Sequence, residues 1–479
     1  MNYVLIYPDE LRAESLACYG HPLVKTPNID RLAQEGVLFE RNYTQHPVCG
    51  PSRACLATGW YPHVDARRSF YLLDSKVPNM FSLLKKSGFH LGHAGKDDMF
   101  DRASMPLIFD DLMPFRLSDA NPNQRTPVKE IGLSTMLTAP IDPNILEQDQ
   151  RFTNDVKGYL QRRRDDGRPF FLMLSLFNPH PPYTALEEYY NMYDPDDLPP
   201  LRGEGWLDGK PDLYHQIRRF RRTKENDPAL YRKVQAVYLG MVSYVDNMVG
   251  QVIQSLQEHG LYKNTMIIFC SDHGDFAGEV GLVEKWPNAM DDMITRVPLI
   301  VRRPGCPEGL RVHTLTQSMD ILPTICDYEN VAIDYDQFGI SLRPQIEGSP
   351  GDEQRAVYCE GGYDRREPHC FEPTCFVSGR RSAEGLMENQ KNSVYYPKML
   401  QQQEEPDSVC RTVMQCWQEW KITIRTNDDN ELYNLQEDPL EQHNLFFDPR
   451  YEQIRNELVA KSFKWLINTS DVTPWERHW

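Results

Sequence analysis

Short, almost entirely apolar runs that stop at turn residues recur along the chain. They comprise residues 4–7, 170–177, 265–270 and 298–301, and three of them are followed directly by proline, asparagine or serine. Strands as apolar as these are typical of a parallel sheet that is covered on both faces. This pattern limits the fold more than any other feature, because each such strand needs a covering layer on two sides.

Amphipathic helical patterns lie between the apolar runs. Residues 29–36 and 80–88 each end on a glycine, which is the preferred residue just after a helix, and residues 234–259 carry one long apolar stripe. Strands that alternate with helices predict right-handed βαβ units. We therefore predict an α/β fold with a central, mostly parallel sheet flanked by helices.

The pattern changes after about residue 350. Residues 383–413 are polar and irregular, and we interpret them as a surface excursion. Two strand-like runs on either side of residues 427–430 predict a hairpin, and a helix is expected over residues 451–468. We predict two domains, a catalytic α/β domain over residues 1–350 and a smaller α+β domain with an antiparallel sheet over residues 351–479.

Charge and composition limit the classes of function that are open to this chain. The 479 residues include 52 Lys+Arg and 69 Asp+Glu, for a formal net charge of −17, which argues against a nucleic-acid partner. No apolar run reaches the ~20 residues of a membrane span, and no targeting segment is seen. The 11 cysteines are scattered and form no CxxC pair. We expect a soluble, cytoplasmic protein without a membrane partner.

Three of the predicted strands end in polar clusters. These are Asp9-Glu10, Asn178-Pro179-His180 and Asp272-His273. In open α/β sheets ligands bind beyond the carboxyl ends of the strands, and carboxylates with an imidazole suit Ca²⁺, Mg²⁺ or Mn²⁺. Each cluster alone has an alternative interpretation as a strand end or helix cap, but three together favour a site.

Residues 49–59, with the sequence CGPSRACLATG, carry the most specific motif. This segment closely resembles the signature of the sulfatase family, C-x-P-S-R-x-x-x-x-T-G, as found in bacterial arylsulfatases and choline-sulfatases and in the related phosphonate monoester hydrolases. Other stretches resemble family motifs in family order: Ala17-Cys18-Tyr19-Gly20-His21, Thr26-Pro27-Asn28-Ile29-Asp30, Tyr61-Pro62-His63, Gly95-Lys96, Asn178-Pro179-His180, Ser271-Asp272-His273-Gly274, Gly281-Leu282 with Lys285, Arg296-Val297-Pro298 and Glu431-Leu432-Tyr433-Asn434-Leu435.

The resemblance implies an alkaline-phosphatase-like fold and a sulfuric ester hydrolase. It also implies that a maturation enzyme oxidises Cys49 to formylglycine, whose hydrate attacks a small anionic sulfate ester. The implied site residues, by role, are the metal ligands Asp9, Cys49, Asp272 and His273, the substrate-binding and catalytic Lys96, His180 and Lys285, and the catalytic Arg53. The implied cofactor is a divalent ion, with Ca²⁺ expected and Mg²⁺ or Mn²⁺ as alternatives.

Two positions depart from the family pattern. Glu10 stands where many sulfatases have a second aspartate, so Asp9 is the safer ligand. Asp98 stands where the family often has histidine two residues after the lysine. Either Asp98 orients the hydrate, or His93 or another histidine serves, or the substrate range differs.

Two other functions compete with a sulfatase. Phosphonate monoester or phosphodiester hydrolases share the cysteine motif but tend to replace the lysine that binds the sulfuryl group, whereas Lys96 is present here. A non-enzymatic relative with a dead site conflicts with the retention of the whole set of signature residues. We therefore favour a sulfatase.

Overall fold

A computed structural model describes residues 1–69, 71–114, 134–142, 144, 147–163, 167–363 and 395–473. Part of the predicted surface excursion, residues 383–394, lies outside the described residues. The strands of the described residues are β1 Asn2–Asp9, β2 Val37–Phe39, β3 Asn42–Tyr43, β4 His90–Gly95, β5 Asp111–Pro114, β6 Phe170–Pro179, β7 Thr265–Cys270, β8 Leu299–Arg302, β9 Leu310–Val312, β10 Thr316–Gln317, β11 Ala356–Gly361, β12 Thr412–Trp417, β13 Trp420–Arg425 and β14 Glu431–Asn434.

The helices of the same residues connect and cover these strands. They are α1 Pro27–Gln34, α2 Cys49–Thr58, α3 Met80–Lys86, α4 Met105–Ile108, α5 Gln148–Arg163, α6 Glu187–Tyr190, α7 Asp212–Phe220, α8 Pro228–Glu258, α9 Asp292–Thr295, α10 Ile321–Glu329, α11 Arg343–Ile346, α12 Tyr396–Glu404 and α13 Glu452–Thr469. Within the described residues, no helix is long and apolar enough to cross a membrane.

The large sheet has eight strands in the order β5-β4-β6-β1-β7-β8-β2-β9. Its first five strands pair in parallel, from β5 to β7, while β8 runs antiparallel to both of its neighbours. The four-stranded sheet β11-β12-β13-β14 is antiparallel throughout. The predicted fold class is confirmed, including the hairpin formed by β13 and β14.

The central strand β1 shows why helices must cover both faces of the large sheet. Val4 and Ile6 point to the face where they share an apolar cluster with Val245 of α8. Leu5 alternates with them and lies in the opposite cluster, with Leu56 of α2. Burial of each such side chain contributes about 1.5–3 kcal/mol. The sheet therefore forms the middle of a three-layer sandwich and holds the ends of its parallel strands rigidly.

A buried ion pair joins the antiparallel sheet to the N-terminal part of the chain. Lys421 of β13 lies 2.8 Å from Asp292 of α9 and also 2.8 Å from Glu441, and all three side chains are largely buried. The predicted division near residue 350 stays a prediction, because the Lys421–Asp292 pair and the docked helix α12 join the two parts.

The prediction that residues 383–413 form a surface excursion is wrong for the described residues of this segment. Residues of α12, among them Lys398, Met399 and Gln401, are buried rather than exposed. The helix begins with Pro397 in its first turn, where proline costs no hydrogen bond, and it packs beside α7. Its buried Lys398 pairs with Glu284 at 3.0 Å, so a polar pattern here does not mean an exposed segment.

Candidate active site

The predicted site residues converge at the carboxyl ends of four adjacent parallel strands. Asp9 ends β1, Lys96 follows β4, His180 follows β6, and Asp272 and His273 follow β7. Neighbouring parallel strands bring such ends to one edge of the sheet, where α/β proteins bind their ligands. Cys49 and Arg53 join them from the first turns of α2, and Lys285 joins from the loop before α9.

The close approach of β4 and β6 at Gly95 sets the position of Lys96. Gly95 has a φ of +103°, and a Cβ built on it would lie 1.9 Å from the carbonyl oxygen of Ser175 on β6. Only glycine fits at this position, because any side chain would collide with the neighbouring backbone. The Lys96 N–H then donates to that same carbonyl at 3.0 Å, which fixes the start of the lysine.

Cys49 lies at the centre of the group and is buried. Its Sγ is 3.2 Å from His273 Nε2, 3.4 Å from Asp9 Oδ1 and 3.5 Å from Lys96 Nζ. Burial, together with the Asp9 carboxylate, raises the pKa of the Cys49 thiol well above its ordinary value. A protonated thiol is a weak nucleophile, so unmodified Cys49 is poorly suited to attack an ester.

Four side chains form a candidate metal centre. One ligand atom from each of Asp9, Glu10, Cys49 and His273 lies within 4.8 Å of all the others, and all four residues are buried. The set offers two carboxylate oxygens, one imidazole nitrogen and one cysteine sulfur, all out of contact with solvent. Such a donor set fits a divalent cation.

His273 is oriented for ligation. Its Nδ1 lies 2.9 Å from the carbonyl oxygen of Gly274, to which a protonated Nδ1 donates. The lone pair of Nε2 then faces Cys49 and Asp9, with Nε2 lying 3.7 Å from Asp9 Oδ1. A backbone partner of this kind fixes the tautomer of metal-binding histidines.

Asp272 has a different place from the other predicted ligands. Its Oδ1 accepts the backbone N–H groups of Glu10 at 3.1 Å and His273 at 3.0 Å. Its Oδ2 accepts Arg53 Nε at 2.9 Å, and Arg53 Nη2 lies 2.8 Å from the same oxygen. Asp272 thus lies between the guanidinium and the four-residue group, while Glu10 occupies a position inside that group.

Positive charge balances the carboxylates. Lys96 pairs with Asp9, and Lys285 pairs with Glu10. Burial alone would raise the pKa of Asp9, but the ammonium of Lys96 leads the opposing charges and leaves this pKa well below its ordinary value. For Glu10 burial dominates over Lys285 and raises the pKa well above its ordinary value.

His180 is held beside Lys285. Its Nδ1 lies 2.5 Å from the carbonyl oxygen of Pro181, and its Nε2 lies 3.2 Å from Lys285 Nζ. Burial, with the charges of Lys285 and Lys96, lowers the pKa of His180 well below its ordinary value. The imidazole is therefore neutral, with Nε2 accepting from the lysine.

The structure shows where Asp98 and the alternative histidine, His93, lie. Asp98 is buried and its Oδ2 lies 2.9 Å from Lys96 Nζ, so it neutralises the lysine. His93 is buried in the core with its ring against Phe109. Burial lowers the pKa of His93 to about 3, so it is a neutral core side chain.

Sequence reasoning missed three residues around the site. Ser175 of β6 accepts a hydrogen bond from Arg53 Nη1. Glu284 contacts Lys285 and forms an ion pair with Lys398. Glu284 directly precedes a motif lysine, which is a usable signal. Ser175 and Lys398 carry no sequence signal, because only the fold brings them to the site.

Buried carboxylates, an imidazole and three cationic side chains around one small side chain suit the hydrolysis of a tetrahedral anionic ester. Together with the sandwich fold, they define an alkaline-phosphatase-like hydrolase. The profile of the family described as Sulfatase matches residues 1–331. The chain belongs to the sulfatase family, and the predicted family and enzyme class are confirmed.

Individual relatives agree with this assignment. Choline-sulfatase of Rhizobium meliloti (strain 1021) is 28% identical over 476 residues, which cover 94% of this chain and 83% of that protein. Iduronate 2-sulfatase of Mus musculus is 32% identical over 339 residues, which cover 64% of this chain and 60% of that protein. The crystal structure of phosphonate monoester hydrolase of Agrobacterium radiobacter has a TM-score of 0.75 at 23% identity, covering 98% of this chain and 96% of that chain. The last likeness shows the fold alone.

Proposed function

We propose that this chain hydrolyses the sulfate monoester of a small organic molecule, such as a sulfated sugar, with a nucleophile derived from Cys49. The observation that carries the proposal is the position of Cys49 Sγ, within 3.5 Å of His273, Asp9 and Lys96. A residue there touches a candidate cation site on one side and a substrate-facing lysine on the other. The signature around Cys49 supports its conversion to formylglycine by a maturation enzyme.

The donor set supports a divalent cation held by Asp9, Glu10, His273 and residue 49, with Asp272 beside it. Ca²⁺ is the proposed ion, with Mg²⁺ and Mn²⁺ as alternatives, because carboxylate oxygens dominate the set. When bound, the cation polarises the ester oxygens and lowers the pKa of a coordinated hydroxyl. The hydrate of formylglycine supplies the attacking hydroxyl and a second hydroxyl whose collapse expels sulfate.

The protein's own side chains provide binding and charge. Lys96 and Lys285 face the sulfuryl oxygens, and Arg53 keeps the Asp272 carboxylate in position through two contacts below 3 Å. Positive groups fixed in a water-poor site stabilise the negative charge that the transition state spreads over these oxygens. Asp98 holds the Lys96 ammonium at 2.9 Å.

Departure of the alcohol needs one proton. The bond between sulfur and the leaving oxygen breaks, its electron pair stays on oxygen, and that oxygen takes a proton from the ammonium of Lys285. His180 Nε2, 3.2 Å from Lys285 Nζ, accepts from this ammonium and orients it. The attacking hydroxyl and the collapsing hydroxyl each lose a proton, one of which restores the Lys285 ammonium. Water re-forms the hydrate, so the overall reaction consumes one water and yields alcohol, sulfate and one proton.

The test compares ester classes and cysteine variants. Matured protein should turn over an aryl sulfate faster than the matching aryl phosphonate or aryl phosphodiester. Cys49→Ala should abolish turnover, whereas Cys55→Ala, which changes a buried cysteine on the same helix, should retain it. Faster phosphonate turnover would favour the competing function, and activity in Cys49→Ala would refute the nucleophile.

A further inference from the structure

Lys285 lies between two buried carboxylates that compete for its ammonium. It pairs with Glu10 on the side of the candidate metal centre, and its Nζ is also 3.4 Å from Glu284 Oε1. Its third contact is His180 Nε2 at 3.2 Å. The direction of the ammonium therefore depends on how strongly Glu284 attracts it.

Glu284 is itself neutralised from outside the site. Its Oε1 is 3.0 Å from Lys398 Nζ, and its Oε2 is 3.0 Å from Arg221 Nη2. The Glu284 side chain is fully buried, and that of Lys398 is only 3% exposed. Charges 3–4 Å apart in a buried environment interact strongly, because little solvent screens them. Lys398 therefore weakens the pull of Glu284 on Lys285 substantially.

Lys398 reaches this place because the described residues that follow it, 399–411, are anchored next to Lys285. The indole N–H of Trp286 donates to the carbonyl of Ser408 at 2.6 Å. The side-chain amide of Asn288 donates to the carbonyl of Cys410 at 3.0 Å. Both donors lie within three residues of Lys285, so this described stretch is fixed close to the lysine.

We propose that Lys398 is a positioning residue for Lys285. By neutralising Glu284 Oε1, it keeps the Lys285 ammonium on the side of Glu10 and His180, where the leaving oxygen would lie. The inference rests on the proposed function in one respect, that Lys285 donates the proton to the leaving group. It assigns to the C-terminal part of the chain a direct influence on proton delivery.

The first test is kinetic and uses leaving groups of different basicity. Lys398→Met should lower kcat/KM on aryl esters with basic leaving groups by about 10- to 100-fold, and by no more than about threefold for acidic ones, because only basic leaving groups need the proton. Lys398→Arg should restore most of the loss. Arg219→Met is the matched control, because it removes the exposed pair of Arg219 with Glu405 that anchors the same segment at 2.6 Å. This control should leave the leaving-group dependence unchanged.

The double variant Lys398→Met/Glu284→Gln separates positioning from folding. If the pull of Glu284 causes the loss, removal of its charge should restore a leaving-group dependence close to that of the unaltered protein. An equal loss on all leaving groups, or a double variant worse than Lys398→Met, would overturn the proposal. The series is run with both aryl sulfates and aryl phosphonates. If the protein hydrolyses no sulfates, the proposed function is refuted, but the role of Lys398 can still be tested on the phosphonates.

A crystal structure of Lys398→Met gives a readout that does not depend on turnover. We expect Lys285 Nζ to move away from His180 Nε2, now 3.2 Å distant, and toward Glu284 Oε1. An unmoved Lys285 would contradict the inference.

Discussion

Replacement of Arg53 with methionine removes a guanidinium from between two buried carboxylates. Arg53 Nη2 lies 2.8 Å from Asp272 Oδ2 and 3.6 Å from Asp9 Oδ2, and all three side chains are almost fully buried. Removal of one partner of a buried ion pair costs about 3–5 kcal/mol, because the remaining charge is uncompensated. Asp272 Oδ1 keeps its two backbone N–H partners. We therefore expect a loss near the lower end, about 3 kcal/mol.

The assay is urea unfolding of the chelator-treated protein, followed by tryptophan fluorescence and extrapolated to zero urea. Arg31→Met is the control, because Arg31 forms an exposed pair with Glu35 at 2.6 Å and should cost less than about 1 kcal/mol. Excess Ca²⁺ should reduce the loss in Arg53→Met, since a bound cation compensates the same carboxylates. A loss below about 1 kcal/mol, equal to that of the control, would refute the view that Arg53 holds these charges together.

Three further predictions concern the strand contact at Gly95, a buried carboxyl group beside Asn178, and the candidate cation. Gly95→Ala should abolish folding or lower the thermal midpoint far more than Gly88→Ala, since a Cβ at Gly95 meets the Ser175 carbonyl at 1.9 Å and one at Gly88 meets nothing within 4 Å; equal midpoints would contradict the strand contact. Burial, with Asp149 nearby, raises the pKa of Glu147 from 4.5 to about 8. The folded state therefore holds this proton more tightly, and stability should fall between pH 4.5 and 8 by up to about 1.4 kcal/mol per pH unit. Glu147→Gln should show a shallower fall in thermal-unfolding scans across this range, and an unchanged slope would refute the assignment. Millimolar Ca²⁺ should raise the thermal midpoint of the unaltered protein but not that of Asp9→Asn, and an equal rise in both would place the cation elsewhere.

Apolar patterning predicted the strands better than their directions. The runs at residues 4–7, 170–177 and 265–270 are all strands of the large sheet, and their polar ends meet as expected. The run at residues 298–301 is also a strand, but it pairs antiparallel with β7. Burial on both faces produces the same apolar pattern in either direction, so the sequence alone does not reveal how a strand pairs.

The motifs predicted which residues meet, but not how each is used. Glu10 was expected to be a weaker ligand than Asp9, and its carboxylate lies with that of Asp9 among the four clustered ligand atoms. Asp272, a predicted ligand, pairs with Arg53 instead. The backbone of Glu10 has a φ of +64°, a local conformation that residue type does not predict. Lys398 was missed altogether, because its role depends on a polar segment folding back from another sheet.

Peptide mass spectrometry of residue 49 tests the central claim most directly. The chain is produced with a formylglycine-generating enzyme and digested with a protease that does not cleave after Arg53, and the peptide that carries residues 49 and 55 is measured. The account predicts an aldehyde or its hydrate at residue 49, with Cys55 of the same peptide unchanged as an internal reference. An intact thiol at residue 49 in protein that still hydrolyses sulfate esters would contradict it.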